Sequence, residues 1–300
     1  MRILVLGGTA FLSAEIAGQA VAAGHQVTCL ARGSAGQPPS GAAWTRADRS
    51  LGANAYAGVS GDWDAVIEVA RDPDPAQGAL DALAQRAGHW TFVSSCSVYA
   101  DHSMPGAAED AALLPALASG TQSTAENYGE SKVAIEGATL AAAGGRVHVC
   151  RAGLIGGPGD GSDRYGYWPG RFARDSGPVI VPDIDADPTQ VIDVRDLAAW
   201  ILLAAEQGTS GVLNAVGDQV PFGQYVGTSG DIAGYTGSVV AAPEDWLVAE
   251  GVGVLGGTRF PAALAPAGPW GLYGAQQPGR AGGRPGAAAV AGNPGGHAPG

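Results

Sequence analysis

Tyr128 and Lys132 stand four residues apart in the run Asn127-Tyr128-Gly129-Glu130-Ser131-Lys132. On a helix, that spacing sets phenol and ammonium on one face. A lysine beside a tyrosine favours the phenolate electrostatically, so the phenol can exchange a proton with a substrate hydroxyl or carbonyl nearer to neutral pH. The same pair also occurs on plain solvated helix faces. Its meaning therefore depends on what the rest of the chain brings to it.

The elements that must position the pair begin at the amino terminus. Arg2-Ile3-Leu4-Val5-Leu6 is a short apolar run, followed by Gly7-Gly8-Thr9-Ala10-Phe11-Leu12-Ser13 and an alanine-rich stretch to about Gly24. This predicts strand, tight turn and helix. A second strand is expected over His25–Ala31, which makes a βαβ unit with glycines where a pyrophosphate would meet a helix N-terminus. Trp63–Ala70 predicts a fourth strand, with Glu68 unusual inside it. If buried, Glu68 needs a partner. An ion pair at the loop edge is the plainer reading of Glu68, and Arg71 follows just past the strand's end. Residues 101–127 form a polar, alanine-rich connection suited to covering a site.

These segments, taken in order, resemble the extended short-chain dehydrogenase/reductase superfamily, in particular the NAD-dependent epimerase/dehydratase family, over roughly residues 1–260. Gly7–Ser13 is similar to the family's Gly-x-x-Gly-x-x-Gly turn, Phe92-Val93-Ser94-Ser95-Cys96-Ser97-Val98-Tyr99 to its serine strand, and Tyr128 with Lys132 to its Tyr-x-x-x-Lys. Arg151–Pro158 and Val191–Ala198 resemble two later signatures. The resemblance implies an α/β fold, a Rossmann-like doubly wound parallel sheet with a smaller C-terminal substrate-binding region. It implies catalysis by Ser95, which holds the substrate oxygen, by Tyr128 as general acid or base, and by Lys132, which binds the nicotinamide ribose and tunes the tyrosine. Ser94 and Ser97 are close rivals for the role of Ser95. Cofactor contacts are implied at Gly7, Gly8, Thr9, Ala10, Phe11, Leu12, Asp48, Arg49, Val69 and Ala70, besides Tyr128 and Lys132.

The departures from that pattern carry information. Ala10 and Ser13 replace the second and third glycines, adding a methyl where the backbone approaches the pyrophosphate and bulk where helix meets strand. At the end of the second strand, where an acid would hold the ribose hydroxyls, stand Ala31 and Arg32. NADP is therefore expected over NAD, with Arg32 on its 2′-phosphate. Arg164, Tyr165, Trp168 and Arg171, in a glycine-rich aromatic segment, are the expected substrate contacts, and the alternative for the aromatics is packing under a loop. Only Arg164, Arg171 and Arg174 could clamp a diphosphate there, so a small carbonyl or hydroxyl compound competes with a nucleotide sugar. A cofactor-binding sensor or scaffold without turnover is the non-enzymatic alternative.

Sixteen basic and twenty-eight acidic residues give a formal charge of −12, which argues against a broad nucleic-acid surface. The expected partners are a small-molecule substrate and, as an option, a second copy in a homodimer, with no nucleic acid and no membrane. No metal is expected, since no Cys/His spacing suggests one. Cys29, Cys96 and Cys150 read as buried thiols of a reducing compartment. Met1-Arg2 leads straight into the first strand, so a signal peptide is not expected and the reading is cytoplasmic. The expected domains are a cofactor domain over 1–158 completed by about 189–216, and a substrate region over 159–188 and 217–265. From Pro266 to Gly300 nearly half the residues are Gly or Pro, and no acid follows Glu250. Such a composition cannot repay ordering. It reads either as a flexible tail or as an out-of-frame end.

Overall fold

Strand residues of this chain are apolar on both faces, which is the pattern of a parallel sheet covered by helices on either side. The computed structural model describes residues 1–102, 106–162, 165–174 and 176–250, and the expectations for Arg164 and for 251–300 lie outside them. In chain order the strands are β1 (Arg2–Leu6), β2 (Gln26–Ala31), β3 (Ala43–Arg46), β4 (Trp63–Glu68), β5 (Ala87–Ser95), β6 (Val147–Ala152), β7 (Ile155–Gly156), β8 (Val179–Pro182), β9 (Pro188–Gln190), β10 (Ile192–Asp193), β11 (Gly211–Ala215), β12 (Gln219–Pro221) and β13 (Val239–Ala242). The helices are α1 (Phe11–Ala22), α2 (Pro73–Leu83), α3 (Tyr128–Ala143), α4 (Tyr167–Phe172), α5 (Val194–Gln207), α6 (Phe222–Ile232) and α7 (Glu244–Ala249).

Seven strands form one parallel sheet in the order β3-β2-β1-β4-β5-β6-β11. The order reverses between β1 and β4, so the loops after these two strands flank a crevice at their carboxyl ends. Alternation along each strand builds two cores. Leu4, Leu6, Val66, Trp90, Phe92 and Val149 pack under α2 and α3, while Ile3, Val5, Ile67, Val93 and Cys150 pack under α1 and α5. The fold is thus the doubly wound one expected. A separate small core gathers Leu154, Trp168, Phe172, Val179, Val181, Phe222 and Val226 beside the short β8–β13 pair.

Cys29, Cys96 and Cys150 are all buried and unbridged. Burial pushes the thiol of Cys29 up to about 11 and those of Cys96 and Cys150 up to about 12. Such thiols are chemically inert at neutral pH.

One feature of the second core is sensitive to acid. His148 on β6 is fully buried, its ring edge-on to Trp200 and 6.5 Å from the ring of His89, and neither ring nitrogen has a hydrogen-bond partner among the described residues. Burial, with His89 adding to it, holds its pKa down to about 4 from 6.5. The folded protein therefore binds fewer protons than the unfolded chain between these values, and stability falls as pH drops through that window. The expected loss from His148 is about 3 kcal/mol. Urea unfolding at neutral and acid pH should show this slope reduced in His148→Phe; equal slopes in both proteins would contradict it.

Candidate active site

The turn after β1 needs its two glycines. Gly7 and Gly8 have φ of +134° and +90°, and a Cβ on Gly8 would run into Cys29 Sγ of the neighbouring strand. Ala10 is the N-cap of α1 and offers no side-chain hydrogen bond, and the first turn of the helix has no acidic residue, so its amides are left without a capping side chain. The two departures from the glycine pattern are accommodated locally. Ser13 Oγ donates to Ala10 O at 2.8 Å, and Gly7 leaves room for it. Phe11 has φ of +32°, the only positive value for a non-glycine among the described residues. Strain of this kind costs on the order of 1–3 kcal/mol and clusters where ligands bind. Thr9 and Leu12 complete the turn, Leu12 with its side chain in the core under α1. An uncapped helix start behind two side-chain-free residues fits a pyrophosphate.

At the end of β2, Arg32 Nη1 lies 4.0 Å from Asp48 Oδ2, both partly exposed. Asp48 caps the short 3-10 turn Arg49–Tyr56 by accepting from Ser50 N and Ser50 Oγ, and these bonds hold its carboxyl below the usual range. The expectation for Arg49 is corrected. Its guanidinium is taken up by a bidentate pair with buried Glu68, at 2.8 and 2.5 Å, and it also donates to Tyr56 Oη and Pro75 O. Glu68 is 1% exposed, and an acid at that depth needs such a partner. It faces Arg49 rather than a ligand.

Lys132 and Tyr128 meet in a corner where β4 and β5 end. Lys132 is 2% exposed and donates to Ala70 O at 2.6 Å and Val93 O at 2.7 Å, leaving one of its three N–H groups. Burial pushes its pKa down to about 7, with nearby Arg71 adding to the shift and Glu68 opposing it. Its Nζ lies 5.5 Å from the ring centroid of Tyr128, which is the first residue of α3. Gly129 permits that approach, since a Cβ there would collide with Ser97 O and Leu114 Cδ1. Ser95, the last residue of β5, accepts from Ser97 N at 3.2 Å and bonds Ser97 Oγ at 2.9 Å. Ser94 points to the opposite face and donates to Glu136 Oε1. Val69 and Ala70 follow directly on β4, and Ala70 is the residue whose carbonyl accepts from Lys132.

Behind the corner lies a buried polar network that sequence reasoning missed. Arg151, 3% exposed, pairs with Glu136 at 2.8 and 3.1 Å and donates to Tyr99 Oη and Glu109 O. Tyr99 Oη donates to Asn214 Oδ1 and Asn214 N to Glu109 Oε1. The connection after β5 is thereby tied to the ends of β6 and β11. The resemblance marks the Arg151–Pro158 segment, but no local spacing couples Arg151 to Glu136 on α3, so the pair appears only when β6 packs against α3.

The substrate expectations divide. Tyr165 stacks on Tyr225 at 5.2 Å and lines a cleft of about 420 Å³ with Gly156, Val191, Ile192, Asp193, Asp196, Val216, Gly217 and Asp218. Trp168 is corrected: it is 1% exposed, packed against Phe172 and Phe222 in the small core. Arg171 donates to Pro178 O and is absent from the cleft lining. The acids of the cleft were unanticipated, although Asp193 and Asp196 lie within the Val191–Ala198 segment already singled out. Among the described residues no group of three His, Cys, Asp or Glu is placed to hold a metal, and no helix is long and apolar enough to cross a membrane.

Neither a protein-family model nor a curated protein matches this sequence. Solved structures do. UDP-N-acetylglucosamine 4-epimerase from Bacillus cereus shares 21% identity at a TM-score of 0.63, covering 81% of this chain and 86% of its own. UDP-glucose 4-epimerase from Thermotoga maritima, solved with UDP-glucose, shares 18% at 0.63, covering 81% and 86%. The Bordetella bronchiseptica enzyme WbmG, solved with NAD and UDP, shares 18% at 0.62, covering 82% and 83%. The chain has the fold of these proteins.

Proposed function

We propose that this chain is an NAD(P)-dependent oxidoreductase of the epimerase/dehydratase family, acting on a small carbonyl or hydroxyl compound. The observation that carries the reading is the corner at the ends of β4 and β5, where Lys132, held by Ala70 O and Val93 O, lies 5.5 Å from the Tyr128 ring. The Gly7–Gly8 turn and the start of α1 would hold the pyrophosphate, and the free N–H of Lys132 would reach the nicotinamide ribose. When bound, the nicotinamide supplies hydride transfer. Tyr128 gives a proton to the substrate oxygen in reduction or takes it in oxidation, Ser95 holds that oxygen, and Lys132 favours the phenolate. Buried thiols suit a cytoplasmic setting.

NADP is the preferred cofactor on the strength of Arg32, since the one anion paired with it among the described residues, Asp48, is a loose 4.0 Å away. Arg32→Ala is expected to weaken NADPH binding by about 1–3 kcal/mol and leave NADH almost unchanged. A fluorescence titration of both cofactors checks this. Equal losses, or a native preference for NADH, would reject the NADP reading.

The second reading, nucleotide-sugar epimerisation, is favoured by what the structural neighbours bind. The cleft lining disfavours it: Asp193, Asp196 and Asp218 stand there, and no described cation does. A diphosphate would meet the like charge of Asp196 and Asp218, since Asp193 is already paired with Arg195 at 2.6 Å. Cofactor binding followed by a substrate panel read as hydride transfer separates the two readings from a sensor that binds without turnover.

A further inference from the structure

Lys132 sits near the midpoint of its titration at neutral pH, because burial opposes its charge. An ammonium that is partly neutral gives an incomplete field over the phenol it serves. Another charge is present. Arg71, in the loop after β4, places its guanidinium carbon 5.4 Å from the Tyr128 ring centroid. The loop is pinned there, since the preceding carbonyl, Ala70 O, accepts the 2.6 Å bond from Lys132. Arg71 is exposed and makes no hydrogen bond or ion pair with any described residue. A guanidinium stays charged at every pH the fold survives.

We infer that Arg71 is a positioning residue for proton transfer at Tyr128, supplying a permanent positive charge that stabilises the phenolate. The inference rests on the reading of Tyr128 as the reacting phenol. The charged groups known to act at this corner are Lys132 and Arg71 on the positive side, and Glu68, Asp72 and Glu136 through their fields on Lys132. Glu68 and Glu136 are bound to Arg49 and Arg151, so neither competes for Arg71.

The test needs no substrate. Phenolate absorbance of the full chain is titrated with alkali, and the curve of Tyr128→Phe is subtracted to isolate Tyr128. In Arg71→Ala, that component should move to higher pH, with the phenolate fraction on the rising limb falling about threefold to tenfold, the scale of one partly solvated charge. Arg71→Lys should restore most of it. A component unmoved in Arg71→Ala, one moved equally in Arg71→Lys, or no Tyr128 component before the protein unfolds would each overturn the inference. NADPH binding, measured alongside, reports separately on the oxidoreductase reading: its absence defeats that reading while leaving the titration to stand or fall by itself.

Discussion

Tyr128→Phe is expected to lower turnover by about 10²–10⁴-fold, the usual scale for general acid–base catalysis, with cofactor affinity nearly unchanged. The ring and its packing remain; only the transferable proton is lost. Lys132→Met should damage both turnover and cofactor binding, because its ammonium faces Tyr128 and its remaining N–H is directed to the ribose in the proposed mechanism. That asymmetry is what steady-state kinetics and a cofactor titration should reveal. A Tyr128→Phe enzyme as active as its parent would mean that the chemistry resides elsewhere on this fold. The charge of Lys132 also sets a direction with pH. Its pKa is about 7, so its contribution to the field over Tyr128 is full below neutrality and fades as pH rises through that value.

The largest effect on stability is expected from Arg151. Replacing it by Leu leaves Glu136 buried at 3% exposure without its bidentate partner and frees Tyr99 and Glu109 O from theirs. Removing one member of a buried pair costs about 3–5 kcal/mol. Substituting both, as Arg151→Met with Glu136→Leu, should recover much of that loss, since no charge is then stranded. Chemical denaturation of the two proteins measures both numbers. A double variant as unstable as the single would show that the network matters through its hydrogen bonds to Tyr99 and Glu109 rather than through the charge pair.

Much of the fold was legible because it is written in short range. The β1-turn-α1 unit follows from an apolar run, two glycines that must take positive φ, and an alanine-rich helix, all within the first two dozen residues. Tyr128 and Lys132 were legible for the same reason, because helical spacing alone puts them on one face. Gly129 was within reach of the same logic, but its need appears only when Ser97 O is brought against it.

Aromatics were harder. Tyr165 and Trp168 lie three residues apart in one segment and have the same composition signal, yet one lines the cleft and the other fills the small core. What separates them is α4 packing on α6, which places Trp168 against Phe222 more than fifty residues later. Arg49 was misjudged for a related reason. Its partner, Glu68, ends β4 nineteen residues on from the 3-10 turn that Arg49 opens, and no local pattern couples the two.

The sequence by itself determined the opening strand-turn-helix-strand unit, the glycine turn and the placing of Tyr128 and Lys132 on one helix face, because periodicity and backbone conformation are settled among residues a few positions apart. Only the tertiary structure decided which charges neutralise one another and which face the crevice: Arg49 and Arg151 are bound to buried acids, while Arg71 stays over Tyr128. The physical reason is that the depth and partner of a charge depend on strand order and helix packing, which join residues distant in the chain and set whether desolvation must be offset by an opposite charge.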